Sequence, residues 1–159
     1  MVEVIPLEDE RLKKLFSYPR YSEQNYKRVM EELTTLGVKG IVSLGRLEMD
    51  GLRVVGKGCV GIVLAGILGQ EKVALKVLRA DANRTSLMEE ARLMSVANMR
   101  KVGPKIIASN DRVIAMEYID GKYLFKWLED PLVTEKVRYV VRELLSQCYK
   151  LDEAGLDHG

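Results

Sequence analysis

Cysteine and histidine are scarce in this chain, and long apolar runs are missing. Cys59 and Cys148 are the only cysteines in 159 residues, far apart, without C-x-x-C spacing or a histidine neighbour. That spacing suggests neither a zinc site nor a disulfide framework and points to a reducing compartment. His158, the one histidine, is poorly placed as penultimate residue for a triad or a metal cage. The longest apolar run, Cys59 to Leu68, is too short to span a bilayer and contains glycines. The amino terminus is acidic where a signal peptide would be basic. A soluble, cytoplasmic protein without a membrane partner is expected.

A marked excess of charge of either sign is absent as well. With 25 basic against 23 acidic residues the formal net charge is +2, so nothing global calls for nucleic acid or an anionic membrane. The cluster Arg11, Lys13 and Lys14 reads as a solvated helix face. What is present is apolar content close to half of the chain (47%), enough for one compact core or for a lobe with an appendage.

The pattern along the chain predicts an α+β organisation. Leu7, Leu12, Leu15 and Phe16 form one helical stripe that Pro19 stops. A second helix is predicted from an N-cap at Ser22 to a C′ glycine at Gly37. Residues 1–39 thus read as a helical extension. From Gly40 short apolar runs alternate with glycine (IVSL, LRVV, IVLAGIL, KVALKVL), without helical stretches between them. That favours an antiparallel meander over a parallel doubly wound sheet. A helix from about Thr85 to Asn98 follows, with Ser86 and Glu89 spaced as a capping box, and Gly103-Pro104 breaks it. Two strands, KIIAS and RVIAMEYI, are linked by Asn110-Asp111 as a tight hairpin. A short helix (Tyr123 to Leu128) and a long one (Thr134 to Ala154) complete the chain. The long helix carries Val137, Val140, Val141, Leu144, Leu145, Cys148 and Leu151 at helical spacing, which predicts one buried face.

Gly56-Lys57-Gly58-Cys59-Val60-Gly61-Ile62-Val63 is a glycine-rich loop between two predicted strands. Glycine removes the Cβ that would keep backbone N–H groups from phosphate oxygens, and it tolerates positive φ. Taken alone, G-x-G-x-x-G also suits an ordinary hairpin. A dinucleotide site needs a helix after the third glycine, and here a strand follows. Fifteen residues after Gly61 comes Lys76, in Val73-Ala74-Leu75-Lys76. Ala74 and Lys76 share a parity, so a small residue and a cation point to the same side of the sheet. Glu90, in the helix that follows, is the candidate carboxylate to hold the ammonium.

In that order these segments resemble the protein-kinase superfamily. Gly56 to Val63 matches G-x-G-x-x-G-x-V, Val73 to Lys76 resembles V-A-I-K, and Glu90 stands where the family places its ion-pair glutamate. Ala115 to Gly121 looks like the hinge between the kinase lobes, with Met116 as gatekeeper. The E-A-R-L-M helix and the Gly103-Pro104 turn are most similar to the small atypical archaeal kinases of the RIO-like group. The resemblance covers roughly Leu52 to Gly159 and leaves the first forty residues unexplained.

That resemblance implies a five-stranded antiparallel sheet with one helix over residues 40–119, then hinge and first helices of a second lobe over 120–159. It implies ATP as ligand, with Gly56, Lys57, Gly58, Cys59 and Gly61 around the phosphates and Lys76 pairing the α and β phosphates. Val63 and Ala74 would cover the base, and backbone groups of Glu117 and Ile119 would receive its edge. The full kinase would transfer the γ-phosphate to a serine or threonine hydroxyl of a protein, and RIO-like relatives suggest a ribosome-assembly context.

Asp157-His158-Gly159 resembles the start of an H-G-D catalytic loop. The aspartate expected next, the loop asparagine and the D-F-G aspartate do not appear in the sequence, so Mg2+ is expected only with a C-terminal part that supplies them, and a catalytic base alone is typically worth on the order of 10²- to 10⁴-fold. The chain alone is therefore expected to transfer phosphate extremely slowly or not at all. Its uncovered long helix is expected to drive self-association. A non-catalytic nucleotide-binding or interaction module (a pseudokinase), and a small-molecule phosphotransferase of the aminoglycoside-kinase type, remain alternatives on the same residues.

Overall fold

The computed structural model describes residues 3–130 and 134–157. After a two-residue strand β1 (Val4–Ile5), helix α1 (Leu12–Phe16) buries Leu12, Leu15 and Phe16. Helix α2 (Glu23–Thr35) buries Val29 and Leu33. Both signals for α2 act as the sequence predicts. The Ser22 hydroxyl accepts a hydrogen bond from the Asn25 N–H at 3.4 Å, and Gly37 takes φ +82° just past the C-cap Leu36.

The strands that follow are β2 (Val38–Val42), β3 (Leu47–Met49), β4 (Leu52–Val54), β5 (Gly56–Lys57), β6 (Gly61–Leu68), β7 (Glu71–Leu78), β8 (Ile106–Ser109) and β9 (Val113–Glu117). Seven strands make one sheet in the order β1-β2-β6-β7-β9-β8, with β5 also on β6, and β3 and β4 form a separate hairpin. Every pairing is antiparallel, as the meander pattern requires. The sheet exceeds the five strands that the resemblance implies: the IVSL run gives the end of β2, β1 and the short β5 are additions, and the predicted LRVV strand lies in the separate hairpin as β4. Strand β6 gives one edge wholly to β7. It divides the other, its first residues pairing with β5 (Gly56↔Val63) and its last with β2 (Val42↔Ala65, Val38↔Leu68).

Strand alternation sorts the sheet into two faces. Ile62, Leu64, Val73, Leu75, Val77, Val113 and Ala115 point into one core, which they share with Ile5, Leu12, Leu15, Phe16, Val29 and Leu33. The N-terminal helices therefore cover this face, and their apolar residues belong to the same core as the sheet. Each such leucine or phenylalanine side chain contributes about 1.5–3 kcal/mol by leaving water. Hydrogen bonds at the end of α2 add to the packing. Glu32 accepts from the Arg112 N–H through Oε2 (2.9 Å) and from Asn110 Nδ2 through its carbonyl (3.0 Å).

The opposite face is partly covered by α3 (Met88–Met99), where Leu87 and Ala91 pack on Leu78 and Ile114. The predicted capping box does not form. Ser86 Oγ donates to Asp111 (2.8 Å) and accepts from the Met88 N–H (3.1 Å), so the helix starts later than expected. Glu89 instead pairs with Arg92. At the far end the Asn98 side chain donates to the carbonyls of Val102 and Pro104 and accepts from the Ile106 N–H, which fixes the Gly103-Pro104 turn into β8. The β8–β9 turn is centred one residue later than predicted, because Asn110 bonds Val113 through both its backbone N–H and its side-chain oxygen.

Helices α4 (Leu124–Leu128) and α5 (Thr134–Glu153) close the fold. The buried face expected of α5 is not found, and Val141, Leu144 and Leu145 are exposed. The apolar stripe is continuous, but no second layer covers it among the described residues. No helix among those residues is long and apolar enough to cross a membrane.

Candidate functional site

The face opposite the N-terminal helices carries most of the candidate site residues. Cross-strand partners point to the same side of a sheet, and the register pairs Val63 with Lys76, Ala74 with Met116 and Lys76 with Ile114. Val63, Ala74, Lys76 and Met116 are thus neighbours on one surface. Gly56 pairs with Val63, so position 56 faces that surface too.

Lys76 Nζ donates a hydrogen bond to Glu90 Oε1 across the gap between β7 and α3. Their side chains are 22% and 24% exposed, enclosed enough to hold one geometry and open enough to reach a ligand. The other carboxylate oxygen of Glu90 lies 3.7 Å from Arg84 Nη1. Glu90 therefore gathers two cations at one end of the face.

The glycine-rich segment forms the turn from β5 to β6, closed by the Gly58 N–H donating to the Gly61 carbonyl at 2.8 Å and by the Val55 N–H donating to Val63 at 2.9 Å. None of Gly56, Gly58 or Gly61 has positive φ, contrary to one of the two reasons for expecting glycine. Gly61 is explained by packing, since a Cβ there would lie 3.0 Å from Lys76 Cγ and Cε. A Cβ on Gly56 would meet nothing within 4 Å, and one on Gly58 only the Gly61 carbonyl at 3.7 Å. Neither backbone conformation nor internal contact requires glycine at 56 or 58, which leaves room for the close approach of something outside the chain. Cys59 is an exposed free thiol at the tip of this turn. Lys57 is exposed, and its ammonium donates to the Tyr18 hydroxyl at 2.9 Å.

At the other end of the face, Met116 lies in β9 beside Ala74. The Glu117 N–H is already used, donating to the Lys105 carbonyl at 2.8 Å, so it is not among the backbone groups left for a ligand. Ile119, 64% exposed, lines a cleft of about 270 Å³ together with Val55, Arg46, Tyr118 and Tyr123. The Arg46 guanidinium stacks over the Tyr123 ring, 4.0 Å from its centre. Val63, Ala74 and Met116 do not line this cleft. The predicted residues thus fall in two adjoining places, the Lys76–Glu90 surface and the cleft at Ile119.

Sequence reasoning missed Val55, whose one signal is that it ends an apolar run directly before Gly56. It also missed Arg79, Arg46 and Tyr18, whose contacts with Gly58, Tyr123 and Lys57 join residues distant in sequence, and Arg84, which lies shortly before Glu90 but matches no local pattern. Among the described residues no group of three or more His, Cys, Asp or Glu is placed to hold a metal ion. The kinase resemblance assigns Mg2+ to catalytic-loop and D-F-G residues, not to any of these. His158 and Gly159, from the expected H-G-D loop, lie outside the described residues.

No model of a known protein family matches the chain, and no curated protein matches it.

Proposed function

We propose that this chain binds ATP as the nucleotide-binding lobe of a serine/threonine protein kinase of atypical, RIO-like type. The observation that supports this best is the Lys76–Glu90 ion pair, set beside a glycine turn whose Gly56 and Gly58 serve no internal purpose. A triphosphate brings several negative charges and backbone-seeking oxygens, and it needs both a fixed cation and an unobstructed loop.

In this reading Lys76 meets the α and β phosphates, and Glu90 keeps its ammonium in place by holding it before the ligand arrives. Restricting a flexible four-carbon side chain in advance lowers the ordering cost of binding. The glycine turn from Gly56 to Gly61, with Lys57 and Cys59 at its tip, lies over the phosphates. Val63 and Ala74 offer an apolar surface to the base, Met116 closes its rear, and the Glu117 carbonyl, its N–H being taken by Lys105, meets the polar edge together with the backbone of Ile119. A protein hydroxyl is the proposed acceptor in the complete kinase. Two free cysteines suit the reducing cytoplasm, which is the proposed location.

Calorimetric titration of ATP, with and without magnesium, into the chain and its Lys76→Met variant tests the proposal. Saturable binding by the parent chain that is lost in a folded variant is the expected result. Absence of binding to a well-folded parent chain, or equal affinity in the variant, would overturn it.

A further inference from the structure

The glycine turn is also held from behind by hydrogen bonds. Arg79, directly after β7, donates from Nη1 to the Gly58 carbonyl at 2.7 Å. Its backbone N–H donates to the Val60 carbonyl at 2.9 Å. Its other nitrogens form a two-bond fork on Asp81, at 2.8 and 2.7 Å, leaving the side chain only 16% exposed. The turn is therefore fastened at two carbonyls by one residue.

That residue is itself placed by the N-terminal segment. The Arg79 guanidinium and the Lys57 ammonium each lie 5.0 Å from the centre of the Tyr18 ring. The Tyr18 hydroxyl accepts from Lys57, and the Tyr18 carbonyl accepts from the Ala80 N–H at 3.0 Å. Tyr18 packs against the core that holds Leu15 and Phe16, so its ring is a fixed support. An aromatic face attracts cations, and here one ring attracts two of them, Lys57 from within the glycine motif and Arg79 from the end of β7.

We infer that Tyr18 is a positioning residue that pre-orders the phosphate-facing turn, holding Lys57 directly and the Gly58–Val60 backbone through Arg79. The inference rests on the ATP reading for its ligand and on the geometry alone for its effect on the turn. Order imposed before binding is not lost at binding, so the segment before the sheet raises affinity for a triphosphate without touching it. Adenosine, which has no phosphates, gains nothing from an ordered turn.

The test uses the full chain and its Tyr18→Leu, Tyr18→Phe and Arg79→Lys variants. Backbone amide exchange over residues 57–61 is measured without nucleotide, and affinity is measured for ATP and for adenosine. Tyr18→Leu is expected to speed exchange in the turn and to weaken ATP by roughly three- to tenfold while leaving adenosine unchanged. Tyr18→Phe, which keeps the ring and loses only the Lys57 bond, is expected to fall between the parent and Tyr18→Leu. If Tyr18→Leu does not fold, Tyr18→Phe tests the link through Lys57, and Arg79→Lys, which loses the fork and the Gly58 bond and keeps the charge, tests the link through Arg79. Unchanged exchange over 57–61 in folded variants would overturn the inference. So would equal weakening of ATP and adenosine, which marks a general loss of structure. Should the parent bind no ATP, the ATP reading falls, and the exchange comparison still decides the role of Tyr18.

Discussion

Lys76 and Glu90 are joined by a hydrogen bond from a strand whose neighbouring residues, Leu75 and Val77, are buried on the opposite side of the sheet. The lysine is thereby fixed twice, in direction by strand parity and in reach by the carboxylate. Replacing Glu90 with glutamine keeps the shape and removes the charge. ATP affinity should fall by up to about tenfold, the equivalent of ~1.4 kcal/mol. A partly exposed ion pair adds little to folding, so the melting temperature should move little. Calorimetry and a thermal melt on the same sample check both halves.

The glycines separate into two kinds that one experiment distinguishes. Gly56→Val should leave stability within about 0.5 kcal/mol, since nothing lies within 4 Å of the new Cβ. It should nevertheless abolish most ATP binding, because the side chain faces the same surface as Val63 and Lys76. Gly66→Val should do the reverse, forcing a Cβ to 2.3 Å from Leu75 Cδ1 and costing about 1–3 kcal/mol or more through overpacking. Urea unfolding beside nucleotide titration reads the contrast. A Gly56→Val protein that binds ATP normally would sink the assignment of the turn.

The N-terminal helices should prove necessary for folding. Leu33 is fully buried in the core shared with the sheet, and Leu33→Ala should cost about 2–5 kcal/mol. Denaturant midpoints measure this. A change below about 0.5 kcal/mol would show that residues 1–39 pack too loosely to act as part of the core.

The Arg79–Asp81 fork carries a pH expectation. Hydrogen bonds from Arg79 hold the Asp81 carboxyl below its ordinary 3.8 and push the Arg79 guanidinium up. With a folded pKa below the unfolded one, the contribution is complete above 3.8 and is lost as pH falls through the lower folded value. The fork should therefore be unaffected between roughly pH 5 and 8. Carbon-detected NMR titration of the Asp81 carboxyl should give a midpoint below 3.8, returning toward it in Arg79→Gln.

Local signals in the sequence were sufficient wherever the cause of a structure is local. Ser22 and Gly37 bound α2 because capping involves residues three or four apart. The parity of Ala74 and Lys76 placed them on one face because a strand repeats every two residues. Causes that span the chain were not legible. A two-residue strand such as β1 has no period to detect, and its place in the sheet depends on β2. The Ser86 capping box failed because Asp111, from another turn, takes the hydroxyl. Tyr18 carries no motif, and its importance arises from Lys57 and Arg79, which the fold brings to it. The apolar stripe of α5 was legible as a stripe, but periodicity reports an amphipathic face and is silent about what covers it.

Strand β7 interleaves two kinds of constraint at single-residue spacing. Val73, Leu75 and Val77 answer to the core, whereas Ala74 and Lys76 face the candidate ligand surface. In a library of every single substitution across these five positions, scored separately for cellular abundance and for ligand capture, the two scores should alternate along the strand. Such a comb-like profile would let selection on this protein tune what it holds without loosening what holds it together. Drift at one position would leave its neighbour's task intact.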